Sequence, residues 1–139
     1  MPRLISVLFI LFCGLIFIFF VFPCYGNIEE SINEIKQYGD YGPTLSKKIN
    51  LMETLLKNLK NDKQKRKACY LLLKSYNEKA GTFSWNERVI KFLHVLINEL
   101  ASTNNQEHID FLKKFMNQKI PSSLVVRCQE ILFVKSDKY

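Results

Sequence analysis

Residues 84–100, SWNERVIKFLHVLINEL, carry the clearest periodic signal in the chain. Val89, Ile90, Leu93, Leu96, Ile97 and Leu100 recur at steps of three and four, the spacing that lines one face of an α-helix. The apolar stripe is wide, as a central helix covered by neighbours requires. Ser84 and Glu87 form Ser-x-x-Glu, a capping box in which each side chain takes a backbone N–H at the helix start. A helix is therefore expected to open at Ser84, and it sets the fold class, because a broad apolar helical face has to be buried against other elements.

On the amino-terminal side, three further helices are expected. Asn27 with Glu30 caps the first, whose stripe is Ile28, Ile32 and Ile35, and Gly39, Gly42 and Pro43 end it. The second starts near Thr44 and turns Leu45, Ile49, Met52, Leu55, Leu56 and Leu59 inward, with Lys47, Lys48, Lys57 and Lys60 mostly outside that stripe. Asn61-Asp62 breaks the pattern and caps a third helix. That helix opens with Lys63, Lys65, Arg66 and Lys67 before turning apolar through Cys69, Tyr70, Leu72, Leu73 and Tyr76, and Ala80-Gly81 closes it. Basic residues in a first turn oppose the helix dipole, so this start is a local inconsistency, marking either a contact patch or a frayed end.

On the carboxyl side, Asn104 with Glu107 repeats the capping pattern for a fifth helix carrying Ile109, Leu112, Phe115 and Met116. After Pro121, Leu124, Cys128, Ile131 and Leu132 suit a helical face. Val125 and Val126 favour a strand, but a lone strand has no ladder partner. The segment is read as helix. The expected fold is all-α, a compact bundle of four to six short helices joined by short polar turns that make sequential helices antiparallel neighbours.

Ahead of this domain, Leu4 to Phe22 is unbroken apolar sequence preceded by Arg3 and followed by Pro23-Cys24-Tyr25-Gly26. A basic start, an apolar centre and small residues at Cys24 and Gly26 read as an export signal cleaved before Asn27. At 19 residues the run also approaches the about 20 that span hydrocarbon, so the rival is an uncleaved anchor. Both readings put residues 27–139, a single helical domain, outside the cytosol, because Arg3 stays inside.

Residues 27–139 keep 19 of the 20 basic residues and all 13 acidic ones, a net charge of +6. Such a domain is attracted to acidic surfaces, whether an acidic face of an extracellular protein, lipid headgroups or glycans. Nucleic acid does not suit an exported chain, and a membrane enters only if the apolar segment is retained. Cys13 and Cys24 fall in the leader. Cys69 and Cys128 remain, and in an oxidising compartment that pair suggests one disulfide stapling the third helix to the last, worth about 4 kcal/mol in chain-entropy terms. The alternative is two buried thiols. No Asn-x-Ser/Thr sequon occurs, so N-glycosylation is not expected.

Catalytic and metal chemistry find little support. The two histidines, His94 and His108, are too far apart for one helical turn, and no Cys-x-x-Cys is present. His94 reads as a partly buried structural residue and His108 as surface. No Ser or Cys lies in a nucleophile motif, and no glycine-rich phosphate loop exists. Neither catalysis, a metal nor a cofactor is therefore expected.

The basic run Lys63, Lys65, Arg66 and Lys67 is a candidate contact patch for an acidic partner, against the plain alternative of a solvated helix face. Lys65-Arg66 also suits dibasic processing. Trp85 in its turn is either a binding anchor or a lid on the core. The leading expectation is a secreted helical protein that acts by binding, as a signalling, seminal, venom or host-directed factor. In broad architecture alone it is similar to short secreted helical factors. Two alternatives are a carrier of a small apolar ligand lined by Phe92, Phe111, Phe115 and Met116, and a membrane-anchored protein with an extracytoplasmic helical domain.

Overall fold

Each helix is built around a start that its own sequence caps or a stripe that a neighbour covers. A computed structural model describes residues 27–78 and 85–136 of the chain. Among them are six α-helices and no strand. The leader, Ala80-Gly81, Phe83, Ser84 and the last three residues lie outside the described residues.

Helix α1 spans Ile28–Lys36. The Asn27 side chain accepts the Glu30 N–H at 3.2 Å, as the capping pattern predicts. Glu29 and Glu30 add negative charge where the dipole favours it. Helix α2, Gly42–Asn58, starts two residues before Thr44. Gly42 sits at φ +65°, a left-handed conformation that a side chain resists, and Pro43 follows in the first turn, where its missing N–H has no helical partner to lose. The glycine and proline expected to end α1 thus open α2.

Helix α3 spans Asp62–Glu78. The Asn61 carboxamide accepts the N–H groups of Lys63 and Gln64 at 2.8 and 3.4 Å, so the basic start is a capped helix end and not a frayed one. Helix α4, Glu87–Leu100, opens later than the Ser84 box implies. Its cap is Asn86, whose side chain accepts the Arg88 N–H at 2.8 Å. Helix α5, Gln106–Phe115, is likewise capped by Asn105 and not Asn104, through the Glu107 N–H at 2.9 Å. In both cases an Asn directly against the first turn displaces the box read from the more distant residue. Helix α6 is Ser122–Ser136, so the ambiguous last segment is a helix.

The core gathers on α4. Val89, Phe92, Leu93, Leu96, Ile97 and Leu100 are all buried, and α4 packs against both α3 and α6. Complete burial of one such aliphatic side chain is worth about 1.5–3 kcal/mol, so this face contributes heavily to the stability of the bundle. Helix α5 packs on α6, and α1 lies against α2 and α3. Ile32, Ile35, Leu45, Ile49 and Met52 complete the core from α1 and α2.

One inward position on α2 is charged. Lys48, expected mostly outside the stripe, is 2% exposed. Its ammonium lies 2.8 Å from Asp40 Oδ1, and the Tyr76 hydroxyl donates to that same oxygen at 2.7 Å. The Lys48 ammonium also stands 4.9 Å from the centre of the Tyr76 ring. Three residues from the α1–α2 turn, α2 and α3 therefore share one buried ionic cluster, which makes Lys48 affordable inside.

Candidate functional site

The basic run occupies the first turn and a half of α3, where capping by Asn61 holds the helix in register. Lys63 and Lys67 are one helical repeat apart and so share a face. Both are exposed and line a groove of about 590 Å³ between the start of α3 and the start of α5. Lys65 and Arg66 are half-buried and do not line it. The helical conformation at Lys65-Arg66 also removes the extended, accessible backbone that processing enzymes favour.

The opposite wall comes from α5 and the turn before it. Asn105, Glu107 and His108 line this side, and Tyr70 reaches across from α3 to donate its hydroxyl to Glu107 Oε1 at 3.0 Å. That hydrogen bond bridges the two helices. Burial, with the adjacent Glu107 carboxylate adding to it, pushes the Tyr70 phenol above its ordinary range, so Tyr70 stays a neutral donor.

His108 is the functional-site residue that the sequence reading misplaces. Expected at the surface, it is 6% exposed. Its ring stacks on Tyr70 with centroids 4.7 Å apart, and Nδ1 lies 3.0 Å from Thr103 Oγ1. Burial holds its pKa below the ordinary 6.5, with Arg66 adding to the depression and Glu107 opposing it. The signal was present in the pattern: His108, Phe111, Leu112 and Phe115 follow the spacing of a helical stripe, and all four are buried.

Lys67 also pairs with Glu29 of α1 at 2.8 Å, with both side chains more than half exposed. The Lys67 hydrogen bond lowers the Glu29 pKa. An ion pair so open to water is held loosely and is screened by salt. Lys67 is thus shared between the groove and α1.

Trp85 is placed elsewhere. It is half-buried against the core, its indole N–H donates to the Lys119 carbonyl at 3.3 Å, and it is not part of the groove lining. That geometry is a lid over the helical core. His94 is half-buried, with Nε2 3.3 Å from Ser123 Oγ, consistent with a structural role.

Cys69 and Cys128 are free thiols in the structure, fully buried, and not the bridge that their pairing suggests. Burial pushes them up to about 12 and about 11, so both remain protonated and serve as small apolar groups in the core. Helix α3 packs mainly on α4, α1 and α2, while α6 packs mainly on α4 and α5. Packing on the shared helix α4 relates these two helices without a covalent staple.

Among the described residues, no group of three or more His, Cys, Asp or Glu side chains is arranged to hold a metal ion. Nor is any described helix long and apolar enough to cross a membrane. The leader lies outside these residues. No protein-family model, curated protein or solved structure matches the chain.

Proposed function

We propose that the chain is an exported helical protein that acts by binding an acidic extracellular partner, and that the groove between α3 and α5 is its contact site. The observation that carries this reading is the placement of Lys63 and Lys67 on one wall of a concave surface whose far wall is rigidified by the Tyr70–Glu107 hydrogen bond and the Tyr70–His108 stack. A solvated helix face needs no such facing wall. The +6 charge of residues 27–139 supplies long-range attraction to the same kind of partner.

The carrier alternative gains no comparable support. Phe92, Phe111 and Phe115 are buried core residues, and the Phe111 and Phe115 rings stack on each other at 5.7 Å. All three side chains belong to the packed core cluster.

The test is capture of extracellular material from the protein's own source, comparing the native sequence with Lys63→Ala/Lys67→Ala. Capture by the native protein should weaken as salt rises and fall several-fold in the variant, because exposed charge acts over about 8 Å at physiological ionic strength. Equal capture by both would remove the groove from the account. Amino-terminal sequencing tests export: a chain starting at Asn27 supports secretion, and an intact Met1 in the membrane fraction supports the anchored alternative.

A further inference from the structure

The groove has more chemistry than positive charge. The capping bonds of Asn61 and Asn105 engage their side-chain oxygens with backbone N–H groups, Lys63 and Gln64 for the first and Glu107 for the second. Each carboxamide is thereby oriented, and its NH2 group remains to donate to a ligand. The lining therefore offers donors from two ammonium groups and two oriented amides, and one strong acceptor, the Glu107 carboxylate. Leu71, with the aliphatic stems of the lysines, gives the groove an apolar component.

This mixture discriminates between polyanions. A heavily sulfated saccharide carries negative charge on nearly every unit, so whatever its register it sets an anion close to Glu107, and any stacking of its sugar faces needs an open aromatic ring. Tyr70 has one face already covered by His108. A peptide instead carries carboxylates for Lys63 and Lys67, carbonyls for the amide donors, and backbone N–H groups for Glu107.

Resting on the reading of this groove as the contact site, we infer that it takes an acidic peptide segment of a partner protein, with side-chain carboxylates on Lys63 and Lys67 and a backbone N–H on Glu107. A partner carboxylate takes over Lys67 from Glu29, an exchange between two solvent-exposed pairs.

The experiment uses protein purified from cells expressing the full chain and three probes: a synthetic peptide alternating glutamate and serine, its glutamine counterpart, and a heparin-type sulfated oligosaccharide. The glutamate peptide should bind and its glutamine counterpart should not. Lys63→Gln/Lys67→Gln should weaken peptide binding several-fold, as loss of two exposed contact charges does. Glu107→Gln is the sharpest arm. If Glu107 only repels anions, this substitution strengthens peptide binding; if it accepts a ligand N–H, binding weakens several-fold. Unchanged thermal melting of each variant shows that the fold is retained, and Tyr70→Phe, which frees Glu107 from its internal partner, gives a second route to the same contact. Tighter peptide binding by Glu107→Gln, or capture of the oligosaccharide in place of the peptide, overturns the peptide assignment while leaving a basic contact groove in place. Binding of neither probe, with the lysine variant still capturing native extracellular material, overturns the groove itself.

Discussion

Two ion pairs in this small bundle each join a lysine to a carboxylate, to opposite ends. Lys48 and Asp40 meet at 2.8 Å inside the fold, at 2% and 6% exposure, with the Tyr76 hydroxyl closing on the same carboxylate oxygen. Lys67 and Glu29 meet at the same distance, with half of each side chain in water. Distance is identical, so distance does not decide what the contact is for. The buried pair has lost its water and depends on each partner to offset that loss. The exposed pair can exchange its partner for water or for another carboxylate at small cost. The first is suited to fixing the turn between α1 and α2 against α3, and the second to being replaced.

The largest expected effect follows from breaking the buried pair on one side. Lys48→Ala leaves the Asp40 carboxylate buried without this cation, which should lower stability by about 3–5 kcal/mol in urea unfolding. Removing both charges, as Asp40→Asn/Lys48→Met, should cost less than the single change, because the two members of the pair are removed together. A double variant less stable than Lys48→Ala would mean that the pair contributes net attraction and not mutual compensation. Tyr76→Phe should cost about 1.5–3 kcal/mol, the value of a hydrogen bond to a charged group. On the exposed side, Lys67→Ala should leave the unfolding midpoint where it is; a large shift there would erase the contrast between the two pairs.

The same contrast explains what could be read from the chain. The α4 stripe was legible because its six apolar positions need only a helical period to be recognised, and all but Ile90, which is half-buried, are buried as expected. The cap of α1 and the break at Asn61 were legible because both act within four residues. Helix α6 was harder, since Val126, Phe133 and Val134 put apolar side chains on its exposed face and blur the period. The starts of α4 and α5 were misjudged by the choice between neighbouring polar residues, Asn86 over Ser84 and Asn105 over Asn104. The ionic cluster was not legible at all. Asp40 and Tyr76 are 36 positions apart, and their meeting beside the Lys48 ammonium helps make its burial tolerable. The groove was half legible: the run from Lys63 to Lys67 stood out as a charge pattern, but the wall facing it depends on Tyr70 reaching Glu107 from 37 positions away.

A difference that only a change of pH exposes lies where the two kinds of environment meet, at His108. Its ring is buried like Lys48, yet it borders the groove like Lys67. Thr103 faces it from the preceding turn, Tyr70 stacks on it from α3, and Arg66 and Glu107 act on its charge with opposite signs. Because burial lowers its pKa in the folded state, protonation favours the unfolded chain. The stability associated with neutral His108 is therefore complete above the unfolded value, near 6.5, and is lost as pH falls through the lower folded value. His108→Gln keeps a side chain able to bond Thr103 but cannot take up the proton. Comparing the two proteins by urea unfolding from pH 7.5 to 5 should give a steeper decline for the native sequence, with the curves converging toward the acidic end. Parallel curves would mean that His108 gains its proton as easily inside the fold as outside it, and the buried character assigned to this wall of the groove would have to be given up.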